Sequence, residues 1–214
     1  MSQARVLPPP QKLPVASGRP RGFVPATALQ NAMEVFWRKG FEATSLDDLL
    51  RAMTLSKSSF YACFGSKHSA FMAAVESYAD ACFAEFTRHA QAAPDPVSAV
   101  RAVLASVANT DGGTHGCFFV NSVTELAPHD DALALYCQSH IARVARLVTS
   151  LLVDAGFPPG LAAGRAAAAL ALAMGVITLR KAGIAPQQVS AVLAQVQVLL
   201  DLPGAAQTPR PPSS

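Results

Sequence analysis

Residues 45–65 read SLDDLLRAMTLSKSSFYACFG, and the placing of their capping and apolar residues decides the fold. Ser45 followed three positions on by Asp48 is a capping-box pattern, in which hydroxyl and carboxylate satisfy the free N–H groups that open a helix. Leu46, Leu49, Leu50 and Met53 then recur at i, i+3, i+4 and i+7, one apolar stripe facing inward. Thr54 and Leu55 leave room only for a tight turn. Ser56 is placed to cap a second helix, with Leu55 and Phe60 at the two positions of a hydrophobic staple. Phe60, Cys63 and Phe64 bury that helix, and Gly65 stops it. Two helices of about eight residues, joined by so short a turn, have helix-turn-helix spacing.

Outward from this pair the same period continues. Gly40 is suited to the left-handed turn that closes a preceding helix. Apolar residues recur at three- and four-residue spacing almost throughout, and no stretch alternates with period two, so the fold class is all-α. Helices are expected near 25–39, 46–53, 57–64, 67–91, 96–109, 117–127, 131–155, 161–182 and 186–201. Composition shifts near residue 70, from short helices to longer, alanine-rich ones. The expected organisation is a Pro-rich basic arm at 1–20, a small helical module at 21–70, a larger helical domain at 71–202 and a disordered tail at 203–214.

Half of the 214 residues are hydrophobic and 14% are charged, a globular composition. The net charge of +3 is unevenly distributed: residues 1–70 hold nine Lys/Arg against four Asp/Glu. A basic module on a near-neutral body suits phosphate-backbone binding, and equally describes a solvated basic face. Cys63, Cys82, Cys117 and Cys137 form no CxxC pair, which favours a reducing cytoplasm over a disulfide framework. The N-terminus has no continuous apolar run of a signal peptide. The uncharged stretch Ala166 to Leu179 is shorter than the roughly 20 residues that span a bilayer, so no membrane role is expected. No nucleophile elbow, phosphate-binding loop or metal-ligand spacing is present, so neither an enzyme nor a cofactor or metal is expected.

The second helix carries Lys57, Ser58, Ser59 and Tyr61 on its polar side, and no acidic residue occurs from Leu49 to Ala70. Its N-terminus would offer Lys57, Ser58 and Ser59 to base edges and phosphates in a major groove, with Tyr61 and Lys67 near the backbone. Thr44 and Ser45 would donate to phosphate at the start of the preceding helix. An ordinary helical hairpin with a solvated face, as in a helical adaptor without DNA binding, fits the spacing and charge equally well.

The continuous run LQNAMEVFWRKGFEATSLDDLLRAMTLSKSSFYACFGSKHSAFMAAVESY, with FWRKGFEATSL, SKSSFY and FGSK inside it, closely resembles the N-terminal domain of TetR/AcrR-type transcriptional repressors. The resemblance implies a three-helix DNA-binding domain, a homodimer and a divergent ligand-binding domain. It implies a double-stranded operator as partner, released by an unknown small-molecule effector, with Thr44, Lys57, Ser58, Ser59, Tyr61 and Lys67 as DNA contacts. Two departures stand out: the turn reads TLS where the family often begins with glycine, and Ala62 replaces a bulkier residue. Arg19 and Arg21, in GRPRGF, resemble the arginine arm that some relatives place in the minor groove.

Beyond residue 70, GCFFVNSVTELAPHD at 116–130 resembles a stretch of one subset of these regulators. Asn121 and Glu125, one helical turn apart, would share a face toward a ligand pocket among Phe83, Phe86, Phe118, Tyr136 and His140. Cys117 begins a helix after DGGTHG, with His115 nearby; it reads either as a thiol that senses oxidants or electrophiles, or as a buried structural cysteine. The helices near 161–182 and 186–201 are the expected dimer interface. The first carries Ala163, Ala167, Leu170, Met174, Ile177 and Lys181 along one stripe; the second carries Val189, Val192, Leu193, Val196 and Leu199.

Overall fold

A computed structural model describes residues 25–108 and 115–199, apart from the side chains of Pro25, Pro186, Ser190, Leu193 and residues 196–199. The described residues are helical, with no strand among them. The helices are α1 (Pro25–Lys39), α2 (Leu46–Met53), α3 (Lys57–Phe64), α4 (Lys67–Ala92), α5 (Pro96–Ala108), α6 (Phe118–Glu125), α7 (Asp131–Asp154), α8 (Pro159–Lys181) and α9 (Pro186–Leu199). A 3-10 turn, Ala127–His129, follows α6, which ends two residues before the expected limit at 127. Pro128 explains the break, because it lacks the N–H that an α-helix would need there.

The chain forms two compact units, Met1–Glu85 with Thr110–Ile141, and Phe86–Asn109 with Ala142–Ser214. Each unit is assembled from two stretches of the chain. The segment that holds α6 is grouped with the helix-turn-helix, and α4 and α7 each run from one unit into the other. The arm with Arg19 and Arg21, the tail, and most of the DGGTHG loop lie outside the described residues.

In the first unit, the core is aromatic. Phe36, Phe60, Phe71 and Phe118 are almost fully buried, and Phe71 meets both Phe36 and Phe118 edge-on. Such edge-to-face contacts set the positive rim of one ring against the negative face of the other. The second unit has a different core. Val100, Val103, Leu104 and Val107 of α5 are buried, as are Ala162, Ala166, Ala169 and Ala173 of α8, and these two helices pack together. Alanine on the buried face lets the helix axes approach closely. Arg180, in the last turn of α8, donates from Nη1 to the Ala108 carbonyl at 2.9 Å and so satisfies the end of α5.

Helix α8 spans 23 residues, beyond the 14-residue uncharged run, because Pro159 is accepted in the first turn where no N–H partner is lost. It is long and apolar enough to cross a membrane by length and composition alone. Its alanine face is nonetheless buried within its own unit, as in a core helix. That face includes Leu170 and Ile177, so the stripe expected to meet a partner chain divides: those two point inward, while Ala163, Ala167 and Lys181 are exposed and Met174 is half-buried. On α9, Val189 is buried and Val192 half-buried.

Candidate nucleic-acid interface

The geometry begins at α2. Ser45 Oγ accepts from the Asp48 N–H at 3.1 Å, and Asp48 Oδ2 accepts from the Ser45 N–H at 3.1 Å, so the expected capping box is formed. Asp48 also receives Lys39 Nζ and Arg51 Nη2, each at 2.8 Å. The Lys39 bond, followed by those from Ser45, holds the Asp48 carboxyl well below the usual carboxylate range, so it remains an anion in all but strong acid. Thr54 closes the helix in the left-handed conformation, φ 53° and ψ 46°. A β-branched residue is strained there, and this is the turn position where a glycine was missing. The Leu55 N–H reaches the Leu50 carbonyl at 3.0 Å and completes the turn.

Ser56 then caps α3: its Oγ accepts from the Ser59 N–H at 3.1 Å and exchanges hydrogen bonds with the Ser58 and Ser59 hydroxyls. Phe60 is fully buried and Phe64 nearly so, which turns the opposite side of the helix outward. Lys57, Ser58, Tyr61 and Ala62 are exposed there, and Ser59 is half-buried. Tyr61 is 47% exposed, and its edge is steadied by Phe60 at 5.6 Å. The outcome is a short helix with a Ser-capped, exposed N-terminal turn, one cation, an exposed phenol and no carboxylate.

The flanking residues are placed differently from the sequence-based expectation. Thr44 is 1% exposed and its hydroxyl donates to the Gly40 carbonyl at 2.6 Å, so its side chain braces the α1–α2 turn. Ser45 is exposed, but its hydroxyl belongs to the capping box. Lys67 lies with Nζ 4.4 Å from the centre of the Phe41 ring, a cation–π contact that fixes its position at the start of α4.

The residues expected around a ligand pocket separate into groups. Phe83, Tyr136 and buried His140 come together, joined by Phe119, whose ring lies 4.8 Å from the imidazole. Phe119 was missed because its role depends on which side of α6 faces α7. Phe118 turns instead toward Trp37, Phe71 and Tyr78. Asn121 Nδ2 donates to the His115 carbonyl at 2.7 Å. Glu125 leaves the expected pocket face altogether: it accepts from the Glu42 N–H at 3.2 Å. Phe86 is buried in the other unit.

Cys117 is 5% exposed and accepts from the Tyr78 hydroxyl at 3.5 Å. Burial, then the neighbouring Cys117 and Cys82 thiols, push the Tyr78 phenol well above its ordinary value, so it stays a neutral donor. Burial likewise pushes the Cys137 thiol up to about 11. Among the described residues, no three His, Cys, Asp or Glu side chains stand close enough to hold a metal ion.

Comparison with known proteins agrees with this geometry. Residues 28–74 match the model of bacterial regulatory proteins of the tetR family, and residues 95–195 match the C-terminal domain of LmrA/YxaF-like transcriptional regulators. The chain is 34% identical over 122 residues to the uncharacterized HTH-type transcriptional regulator YezE of Bacillus subtilis, covering 56% of this chain and 63% of that one. It is 34% identical over 139 residues to the HTH-type transcriptional repressor ComR of Escherichia coli, covering 63% and 66%. The matched stretch thus spans just under two thirds of either relative. A solved structure of the regulator CifR with 26-bp operator DNA superposes with a TM-score of 0.70 at 26% identity, over 85% of this chain and 98% of that one.

Proposed function

We propose a function from one premise: this chain belongs to the TetR family of bacterial regulatory proteins. It acts as a transcription regulator of the cytoplasm that binds duplex DNA through α3, as a homodimer, and represses until a small molecule releases it. The observation that carries this reading is the outward face of α3, where Lys57, Ser58 and Tyr61 stand exposed with no acidic side chain among them. Phosphate contacts supply affinity and set register, and exposed side chains at the helix N-terminus reach base edges. CifR bound to its operator supports the same use of the fold. Arg19 and Arg21 would add minor-groove contacts ahead of α1.

Homodimerisation is assigned to α8 and α9. Exposed Ala163, Gly164, Ala167, Ala168 and Ala171 give α8 a second small-residue face, free of any Cβ obstruction at Gly164, that permits another helix to approach. For the effector, the Phe83, Phe119, Tyr136 and His140 cluster is the preferred site: three rings and one buried imidazole suit a mainly apolar ligand with a single polar group. The ligand must favour the non-binding conformation for release to follow. A small molecule is preferred over a thiol signal because Cys117 is buried behind Tyr78. No catalytic role is proposed.

Fluorescence anisotropy on duplex from the region upstream of the chain's own gene tests the reading. Lys57→Ala is expected to weaken binding by about 1–3 kcal/mol and to flatten the salt dependence. Absence of duplex binding at low salt, with Lys57→Ala indistinguishable from the parent, would sink it.

A further inference from the structure

Glu125 stands at the end of α6, yet its carboxylate is seated on the turn between α1 and α2. It accepts from the Glu42 N–H, and a Cβ at Gly40 would lie 2.6 Å from Oε1 and 2.8 Å from Oε2. Gly40 therefore serves twice. Its φ of +82° needs glycine, and its bare α-carbon makes the space that the carboxylate fills. The same turn is pinned from inside, where the Gly40 carbonyl receives the buried Thr44 hydroxyl one residue before the Ser45 cap of α2. A group that holds Gly40 and Glu42 consequently sets how α2 begins, and α3 follows α2 across a turn closed by the Leu55–Leu50 hydrogen bond.

Two further ties join the segment around α6 to α1 and α4. Trp37 Nε1 of α1 donates to the Gly116 carbonyl at 3.1 Å, and His68 of α4 is paired with Asp130. These flank α6. His68 also meets Phe41 of the α1–α2 turn edge-on at 6.2 Å, but Glu125 is the one of the three that hydrogen-bonds to that turn's backbone.

We propose that Glu125 is a positioning residue for DNA reading: its carboxylate holds the Gly40–Glu42 turn and so fixes the angle at which α2 and α3 meet a duplex. The inference rests on the DNA-binding reading above. It places α6 among the elements that determine operator affinity, although α6 itself need not touch DNA.

The test uses the full chain and compares Glu125→Ala with Glu125→Gln. Gln keeps the shape and one oxygen to accept the Glu42 N–H; Ala keeps neither. Affinity for the upstream duplex is measured beside that for an unrelated duplex, with the melting temperature of each variant. Glu125→Ala should lower affinity for the upstream duplex about tenfold, the size of one charge-assisted hydrogen bond, and leave the unrelated duplex unchanged. Glu125→Gln should stay within about threefold of the parent, since its remaining bond is neutral. Hydrogen exchange at the Glu42 amide and across α2 reads the contact without DNA: faster in Glu125→Ala, restored in Glu125→Gln. Equal affinity of Glu125→Ala and parent for the upstream duplex overturns the proposal. So does a loss on both duplexes that merely follows a fall in melting temperature. If the parent itself binds no duplex, the DNA-binding reading fails first, while exchange at Glu42 still shows whether Glu125 holds the turn.

Discussion

The α2–α3 pair and α6 are both eight-residue helices in the same compact unit, but they are held in place by opposite means. Both ends of α2 and α3 are closed by neighbours within five residues: Ser45 with Asp48, Thr54 with Arg51 and Leu50, Ser56 with Ser59, Gly65 with Tyr61. At the start of α6, Cys117 makes no side-chain cap. Its C-terminal end closes locally, Leu126 N–H on the Ser122 carbonyl, but the helix is also tied from far along the chain, through Trp37 at 79 residues' separation and Glu42 at 83. A locally closed hairpin can keep its own shape while a distantly held helix sets its orientation. That division suits the role proposed for α3, whose angle could change without the hairpin being rebuilt.

The comparison breaks most severely at Phe60, the one fully buried ring of α3. Phe60→Ala should cost about 3–5 kcal/mol in urea denaturation, since local caps do not replace a core ring. A loss below about 1 kcal/mol would mean that the hairpin stands on its caps alone.

Trp37→Phe probes the distant ties. It keeps an aromatic ring beside Tyr78 but leaves the buried Gly116 carbonyl without its indole donor. The expected cost is about 1–3 kcal/mol, with faster amide exchange in α6 and unchanged exchange in α2 and α3. Equal exchange changes in all three helices would erase the distinction.

The smallest effect has the opposite sign. Thr54→Gly should raise stability by roughly 1 kcal/mol, because glycine accepts the left-handed turn without Cβ strain, less its extra unfolded-state entropy. A lowered thermal midpoint would show that the Thr54 side chain contributes more than its backbone strain costs.

Much of the α2–α3 pair was legible beforehand because its signals are short-range. The capping box, the Ser56 cap, the inward Phe60 and Phe64 and the stop at Gly65 each depend on residues a few positions apart. Exposure of Lys57, Ser58 and Tyr61 follows directly once the buried face is known. Thr44 was harder: nothing in its neighbourhood says that the hydroxyl turns back to Gly40. Glu125 was harder still. The i, i+4 spacing correctly put it within a turn of Asn121, but a helix face has no address until its neighbours are known.

The sequence by itself determined the all-α class, the helix limits to within a few residues, the α2–α3 pair and the family. Periodicity, caps and a long ungapped resemblance are all encoded within short windows of chain. Only the tertiary structure decided that α6 belongs with the α2–α3 pair, that Leu170 and Ile177 face inward on α8, and that Glu125 closes on Gly40. Each of those depends on packing between segments far apart in sequence, where a side chain's partner is chosen by the fold and not by its neighbours in the chain.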